Sequence, residues 1–305
     1  MNDAPAPLSE SNHPRMWKQN TYVYPVLSRR AGGVSVGVNL NPDKACNFDC
    51  IYCQVDRTKT PQEYFVGLPK LLQELELVLR GLLPGGELWP QPEFISIPPD
   101  KKRVNDIAFS GDGEPTTFKN FSEVIERCAE VKRTLNFDAV KMVLITNATG
   151  LDRPDVKRGL DLMDANNGEI WAKLDAGTPE YFKLIDNTDF PFAKVLDNIA
   201  ACAKARPIVI QSCFMKVRGV APSEPEISAY IARLKEIAAR GGRIKLVQIY
   251  TVARNPAYSI VSSLSDAEVD AIAARVRKEA GLQASAFYGS VGEGRGIMGE
   301  SPVAR

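Results

Sequence analysis

Histidine is almost absent from this chain of 305 residues, which carries one histidine, His13, near its amino terminus. A folded core without histidine has no imidazole catalyst, so proton transfers fall to Lys, Tyr, Cys, Asp or Glu side chains. The same scarcity disfavours zinc, because a structural zinc site takes four Cys or His ligands.

An excess of charge and a long apolar run are also missing. The 38 basic and 37 acidic residues give a net charge of +1, without the basic excess of many nucleic-acid binders. No run approaches the roughly 20 apolar residues of a membrane-spanning helix, and the first residues lack the apolar core of a signal peptide. The sequence predicts a soluble cytoplasmic protein, in which clustered cysteines are more often metal ligands or redox groups than disulfides.

Short apolar runs rich in β-formers alternate with amphipathic helical segments six times along the chain. Strict alternation predicts parallel strands joined by right-handed crossovers. The expected fold is α/β, a partial (β/α)6 barrel with a parallel sheet and outer helices. One domain over 21–288 is predicted, with an irregular insertion near 81–105 and flexible tails at 1–20 and 289–305.

The last two helices are the most clearly marked. Ser223 with Glu226, and Ser265 with Glu268, have the spacing of a capping box at the start of a helix. Gly281 is placed as the stop of the second helix, and an additional strand is predicted at 282–289.

Three cysteines fall within eight positions of "KACNFDCIYCQV", at Cys46, Cys50 and Cys53. A zinc site lacks its fourth ligand here, and a thioredoxin-like Cys50/Cys53 pair leaves Cys46 without a role. In a 4Fe-4S cluster, three thiolates hold three irons and leave one iron open. Three cysteines could also arise as ordinary core or surface residues, so the spacing after the first predicted strand leaves these interpretations open.

The pattern Cys-x3-Cys-x2-Cys with an aromatic residue, Tyr52, before its last cysteine resembles the signature of the radical S-adenosylmethionine (radical SAM) superfamily. The resemblance implies a 4Fe-4S cluster whose open iron binds S-adenosylmethionine (SAM). It also implies reductive cleavage of SAM to a 5'-deoxyadenosyl radical that abstracts hydrogen, with electrons from a flavodoxin or ferredoxin.

The turn "SGDGEPT" after the second predicted strand is the next candidate. Its Gly111, Asp112, Gly113 and Glu114 resemble the superfamily's GGE-type motif, which holds the amino group of SAM. Asp112 departs from that motif by standing between the two glycines. The alternative is a tight strand-to-helix turn with no ligand.

Polar residues at the ends of the later strands are expected to face a ligand, as they do in α/β barrels. We predict that Tyr52, Asn147, Asp175, Gln211 and Lys216 bind the cofactor. Lys173 is the predicted catalytic residue, because a desolvated lysine can act as a base or form a Schiff base. Three further cysteines are predicted to pack in the core: Cys128, Cys202 and Cys213.

Within the superfamily, the chain resembles the wybutosine-synthesis enzymes, which build a tricyclic base on tRNA. The resemblance rests on "NPDKACNFDCIYCQV", "SGDGEPT" and "KLDAGT" and covers about residues 32–255. Those enzymes carry a second cluster on upstream cysteines, and here no cysteine precedes Cys46. Three functions therefore stay open: a radical enzyme acting on an unidentified substrate, with a tRNA base as one candidate, one activating or modifying a partner protein, and a non-catalytic iron-sulfur carrier or structural metal protein.

Overall fold

The computed structural model describes residues 7–10, 17–61, 63–254, 256 and 258–289. The chain forms two compact units. Unit 1 comprises Met1–Ala45, Pro61–Ile145 and Arg153–Glu169, and unit 2 comprises Cys46–Thr60, Thr146–Asp152 and Ile170–Arg305. Within the described part, no helix has the length and apolarity needed to cross a membrane.

Unit 1 contains four neighbouring strands: β1 (Val23–Ser28), β2 (Gly33–Val38), β3 (Val104–Phe109) and β4 (Lys141–Thr146). Strands β2, β3 and β4 pair in parallel, as the alternating pattern predicts. Strand β1 was not predicted, because it precedes the alternation and contains Pro25. It pairs antiparallel with β2, and Gly32, whose φ is +76°, helps to close the turn between them.

The helices of unit 1 are α1 (Leu68–Gly81), α2 (Pro92–Ile95), α3 (Phe121–Thr134) and α4 (Pro154–Asp164), with short 3-10 turns at Pro99–Lys101 and Pro115–Thr117. In the predicted insertion near 81–105, α2 and the first 3-10 turn are short, as expected for an irregular segment. Leu8 and Trp17 belong to the segment predicted to be a flexible tail, and both are buried. The predicted tail at 289–305 lies outside the described residues beyond Gly289.

Unit 2 contains the remaining strands: β5 (Gly168–Lys173, its first two residues in unit 1), β6 (Ile208–Cys213), β7 (Met215–Val217), β8 (Ile244–Tyr250), β9 (Val261–Ser263) and β10 (Ala284–Phe287). Strands β5, β6, β8 and β10 pair in parallel in that order. Strand β10 confirms the additional strand predicted at 282–289. The short strands β7 and β9 form a separate antiparallel pair.

The helices of unit 2 are α5 (Pro179–Asp186), α6 (Phe192–Ala205), α7 (Glu224–Ala239) and α8 (Asp266–Arg275), followed by a π turn at Val276–Ala280. Helix α8 begins with the predicted capping box of Ser265 and Glu268. Gly281 follows the π turn with a φ of +68°, as expected for a helix stop.

The capping box predicted for α7 is wrong. The Ser223 side chain accepts a hydrogen bond from the Glu226 N–H, but the Glu226 carboxylate does not return to Ser223. It accepts instead from the N–H of Gly177 (2.5 Å) and the hydroxyl of Thr178 (2.6 Å). The buried donors at Gly177 and Thr178 need an acceptor, and Glu226 provides it instead of completing the capping box. Glu226 thereby holds the loop that follows β5 against α7.

Candidate functional site

The cysteine loop belongs to unit 2 and is fixed through its backbone to the end of helix α5. The N–H groups of Asp49 and Ile51 donate to the carbonyls of Asp186 (3.2 Å) and Ile185 (2.9 Å). Main-chain carbonyls in the last turn of a helix have no partner inside the helix and need donors from outside. The loop supplies those donors and is held in place by them.

Side chains at Asn47 form a second set of anchors. The amide of Asn47 donates to the Thr149 hydroxyl (2.7 Å) and accepts from the amide of Asn147 (2.8 Å). The main-chain carbonyl of Asn47 accepts a hydrogen bond from the Thr188 hydroxyl (3.0 Å). Asn147, which the sequence predicted as a cofactor ligand, is buried and holds the loop from the segment that follows β4.

Asp49 provides a third anchor beside Cys50. Its Oδ2 accepts from the Asn187 amide (3.1 Å) and from the Tyr258 hydroxyl (3.1 Å). Asn187 lies directly after α5 with a φ of +42°, a left-handed conformation that asparagine tolerates better than most residues. The loop is thus anchored at residues that alternate with its cysteines.

The three loop cysteines are half-buried, and none of them forms a disulfide. A turn brings the N–H of Cys53 to the carbonyl of Cys50 (2.9 Å). The Cys50 thiol donates to Asp186 Oδ1 (3.3 Å), and Arg57 Nη1 donates to the sulfur of Cys53 (3.3 Å). Burial, and then the negative charge of Asp186, raise the pKa of Cys50 well above its usual value.

The fit of these residues to a cluster rests on the chemistry of the donor set. Three thiols on one short loop are the ligands that iron-sulfur clusters take. Among the described residues, no three or more Cys, His, Asp or Glu side chains already surround one metal position. Cys46 also lines a cleft of about 820 Å³ with Arg57, Asp189 and Tyr258. The residue types therefore fit a 4Fe-4S cluster, and the three thiols would move closer together when they bind it.

Next to the loop, Asp175 accepts three hydrogen bonds or ion-pair contacts. The donors are the Tyr52 hydroxyl (2.5 Å), the Cys213 N–H (2.6 Å) and the Lys173 ammonium (3.1 Å). The side chain of Asp175 is only 1% exposed and that of Lys173 is 17% exposed. The acid therefore joins the cysteine loop to the ends of strands β5 and β6.

Lys173 lies in a box of two phenol rings. Its ammonium is 4.5 Å from the centre of the Tyr52 ring and 5.8 Å from that of Tyr250, and it donates to the Tyr250 hydroxyl (3.1 Å). Burial lowers the pKa of Lys173, but Asp175 and the other negative groups outweigh it and hold the pKa well above its ordinary value. Lys173 is therefore an ammonium ion, a poor base and a poor nucleophile.

Strand register explains why these side chains share one face of the sheet in unit 2. Lys173 pairs with Gln211 across β5 and β6, and Gln211 pairs with Gln248 across β6 and β8. The Gln211 amide donates to the Gln248 carbonyl oxygen (2.8 Å), and both side chains are buried. Gln211 thus extends a polar row across three strands. Side chains two positions further along each strand return to the same face, which places Cys213 beside Tyr250.

Lys216 lies apart from this row, on β7. Its ammonium pairs with Glu268 at 3.2 Å, and both side chains are about one-third exposed. The other cysteines are buried: Cys128, Cys202 and Cys213, as the core-packing prediction expects. Burial raises the pKa of Cys128 far above its usual value, so that thiol stays protonated.

The glycine turn belongs to unit 1, and its polar groups have partners within that unit. The Asn39 amide donates to Asp112 (2.9 Å), and its oxygen accepts from the Asp112 N–H (3.2 Å). The buried carboxylate of Glu114 accepts from the N–H (3.1 Å) and the hydroxyl (2.6 Å) of Thr116.

The glycines of this turn are required by close packing. A Cβ at Gly111 would lie 2.4 Å from the Asn39 side chain, and one at Gly113 would lie 2.0 Å from the carbonyl oxygen of Ala45. These distances explain why both positions are glycine: a side chain at either one would clash with its neighbours. They agree with the alternative of a tight strand-to-helix turn. The ligand role of the four turn residues stays a prediction.

Comparison with solved structures identifies the fold. A radical SAM methyltransferase from Sphaerobacter thermophilus superposes on 87% of this chain and 69% of its own, with a TM-score of 0.57 and 13% sequence identity. The chain has the radical SAM fold, which confirms the predicted fold class and, at the level of the fold, the resemblance drawn from the cysteine loop.

Sequence comparison finds relatives whose names state no radical chemistry. A protein named GTPase Obg from Brachyspira hyodysenteriae is 25% identical over 254 residues, which cover 81% of this chain and 32% of that protein. A UPF0026 protein of Methanocaldococcus jannaschii is 30% identical over 162 residues, covering 49% of this chain and 42% of that protein. The matches thus span less than half of either relative, and no family model matches the chain.

The structure also reveals site residues that the sequence analysis did not predict. Tyr250 and Gln248 join the polar row, Asp186 contacts Cys50, and Tyr258 anchors Asp49. Tyr250 and Gln248 end a predicted strand, which was a usable signal. Asp186 and Tyr258 had none, because their partners lie 136 and 209 positions away in the sequence.

Proposed function

We propose that the chain is a radical SAM enzyme whose Cys46, Cys50 and Cys53 hold a 4Fe-4S cluster. The observation that carries the proposal is that one set of residues anchors the cysteine loop and another set supplies its thiols. Asn47 and Asp49 fix the loop through hydrogen bonds, while the cysteines form no disulfide and leave their sulfurs as the donor set. Three thiolates leave one iron of such a cluster open for SAM.

When bound, the cluster and SAM would supply a 5'-deoxyadenosyl radical that abstracts hydrogen from a substrate. The chain's own residues prepare the surroundings. Ile51, Cys213 and Val252 belong to a buried apolar cluster against which Tyr52 and Cys53 pack. This packing would keep water away from one side of the loop, and Asp175 fixes Tyr52 between two cysteine ligands.

Within this proposal, Lys173 acts as a fixed cation that orients an anionic group of a ligand. Its ion pair with Asp175 and its contact with Tyr250 favour the charged form over the neutral amine that a Schiff base requires. Pyruvate supplies a carbonyl group for a Schiff base, and borohydride would reduce that Schiff base to a stable adduct. This treatment is expected to leave the mass of the protein unchanged. A lysine adduct located at Lys173 would restore the covalent role predicted from the sequence.

The direct test is anaerobic reconstitution with iron and sulfide, followed by dithionite and SAM. We expect a brown protein that forms 5'-deoxyadenosine. Cys50→Ala is expected to lose both the chromophore and the product, because two thiolates cannot hold the cluster in this way. Cys202→Ala removes a buried thiol of helix α6 and serves as the matched control, with both properties retained.

Two outcomes would count against the proposal. A properly reconstituted cluster that forms no 5'-deoxyadenosine would favour a non-catalytic iron-sulfur protein. A cluster that survives in Cys50→Ala would reject the ligand assignment.

The partners belong to the same proposal. A flavodoxin or ferredoxin is the proposed electron donor, and a tRNA base is the first substrate class to test. Binding of tRNA that weakens steeply with salt would support a nucleic-acid substrate, because contacts to phosphate release counterions. Binding that is absent at low salt would direct the search to proteins and small molecules.

A further inference from the structure

A second pocket of unit 2, of about 320 Å³, lies beside strand β7 and the loop that leads to helix α7. This volume is at the lower end of the roughly 300–1,000 Å³ typical of small-molecule sites. Its walls are mostly apolar, with Leu184, Val217, Val220, Ala221 and Ile260 among the lining residues. Val220 is 70% exposed, so the walls present apolar surface that the described part of the chain does not cover.

A tight turn places a cation at this pocket. The N–H and carbonyl of Val217 bond to the carbonyl and N–H of Val220 (2.9 and 3.0 Å), so that two residues, Arg218 and Gly219, close a hairpin. Both have left-handed φ values, +52° and +77°, as such hairpins require. The N–H of Arg218 also donates to the carbonyl of Ile260 (2.7 Å), which fixes the turn.

Two of the polar side chains that line the pocket are unused by the fold, whereas a third, Ser223, caps helix α7. In the part of the chain that the structure describes, the guanidinium of Arg218 and the hydroxyl of Tyr181 have neither a hydrogen-bond nor an ion-pair partner. A guanidinium binds carboxylate or phosphate oxygens in pairs, and a phenol can donate to the same group. An apolar cavity with an unpaired cation and a free phenol fits an amphipathic anion.

We infer that this pocket binds a small organic anion with an apolar body, whose carboxylate or phosphate meets Arg218. This inference goes beyond the proposed function and needs neither cluster nor SAM. Tyr181, Leu184, Val217 and Ile260 line the pocket and also pack on the apolar cluster that contacts Tyr52 and Cys53. The ligand is thereby placed one layer of side chains from the cysteine loop.

The test uses octanoate, octyl phosphate, octanol and inorganic phosphate as probes of the cluster-free protein, with calorimetry and methyl NMR of Leu184 and Ile260. The two amphipathic anions are expected to bind, and the stronger of them identifies the preferred head group. Octanol should bind roughly 10-fold more weakly and phosphate alone not measurably, because both the charge and the apolar body are needed.

Two substitutions test the site separately. Arg218→Gln is expected to weaken octanoate binding roughly 10-fold without changing octanol, since a charge-assisted hydrogen bond is lost. Arg240→Gln makes the same change in charge just beyond the other end of α7, where Arg240 pairs with Asp197, and should bind like the wild type. Ala221→Phe fills the pocket from a half-exposed loop position and is expected to abolish binding of all the probes.

The proposal is overturned if neither anion binds at millimolar concentration, or if both Arg218→Gln and Ala221→Phe bind as the wild type does. A dimer that Ala221→Phe dissociates would also overturn it and assign the pocket to a second copy of the chain. These measurements use the protein without its cluster, so a failure to form 5'-deoxyadenosine would not change their result. A failure to bind the probes would likewise not count against the proposed radical chemistry.

Discussion

The cysteine loop of unit 2 and the glycine turn of unit 1 both follow a strand and both attract attention in the sequence, but they use their side chains in opposite ways. In the loop, Asn47 and Asp49 form the anchoring hydrogen bonds, and the cysteines beside them form no disulfide. In the turn, the conspicuous residues are themselves structural, since Asp112 bonds with Asn39 and Glu114 with Thr116.

This difference teaches where to look for chemistry. A segment built for ligand binding must hold its backbone with one set of residues so that another set remains available. The cysteine loop meets that condition. In the glycine turn, the carboxylate of Glu114 can meet a ligand only while it also accepts from Thr116. The following substitutions test the contrast from the largest expected effect to the smallest.

Asp175→Asn should cause the largest loss of stability. It removes the counter-ion of the nearly buried Lys173, and breaking such a pair costs about 3–5 kcal/mol. Urea unfolding of the cluster-free protein measures the loss. Adding Lys173→Met should recover much of the stability, because the double variant has no unpaired buried charge. A single variant within about 1 kcal/mol of the wild type would show that Asp175 is not the central support of the loop.

Asp106 of unit 1 should make stability depend on pH. Burial raises its pKa to about 6, although the Ser35 hydroxyl donates to its carboxylate. Below its unfolded pKa the group is neutral in both states and costs nothing. As pH rises through about 4 to 6, the unfolded state ionises more readily and the native state loses stability. Asp106→Asn should remove a penalty that approaches about 3 kcal/mol at neutral pH.

The control for Asp106 is Asp155, in the same unit. Burial raises the pKa of Asp155, but hydrogen bonds from Ser122 outweigh it and the net pKa is lowered. Its ionised form therefore stabilises the fold, and that contribution disappears as pH falls through its folded pKa. Asp155→Asn should be most destabilising near neutral pH, opposite in sign to Asp106→Asn. The Asp106 effect should develop between about pH 4 and about pH 6 and the Asp155 effect should fade only below about pH 4. Equal pH dependence of the free energy of unfolding for the two variants from about pH 2.5 to about pH 8, measured with urea, would contradict both assignments.

Gly113→Ala tests whether the turn is held by close packing. The added methyl would lie 2.0 Å from the carbonyl oxygen of Ala45 and 2.7 Å from the Asn41 side chain. Overpacking of this kind costs about 2 kcal/mol. Gly67→Ala is the matched control, since its methyl would meet its nearest neighbour at 3.5 Å. Equal thermal stability of the two variants would remove the steric explanation for Gly113.

Asn47→Ala should have the smallest effect on stability, about 1 kcal/mol, because its hydrogen bonds are made at an exposed residue. A larger effect is expected on the reconstituted protein, which should lose iron to a chelator faster than the wild type. Thr58→Ala is the control, since Thr58 lies just beyond the loop and, among the described residues, its hydrogen-bond partner is Asp56. Equal rates of iron loss for the two variants would show that Asn47 does not hold the loop.

Much of the fold could be predicted because each strand of the alternating pattern is a compact apolar run. Strands β7 and β9 have three residues each and are too short to give a periodic signal. Helix α6 follows α5 with no strand between them, which the rule of one helix per strand does not allow. The capping box predicted at Ser223 failed because the Glu226 carboxylate accepts instead from Gly177 in a loop distant in sequence.

The site was predictable as a set of residues but not as a network. Tyr52, Lys173 and Asp175 each carried a signal from a motif or a strand end. Their mutual contacts depend on strand register and on a hydrogen bond between residues 123 positions apart. The raised pKa of Lys173 follows from that network, whereas the sequence alone offered a desolvated lysine as a base or Schiff-base former, a role that stays a prediction.

Because anchoring residues alternate with cysteines in the loop, the fold of the loop does not depend on a bound metal. Many small metal proteins unfold when the metal leaves, because the metal organises the chain. Here hydrogen bonds to helix α5 and to the segment after β4 organise the loop instead. If the proposed cluster is lost to oxygen, the loop is therefore expected to stay folded and to accept a new cluster without synthesis of a new protein.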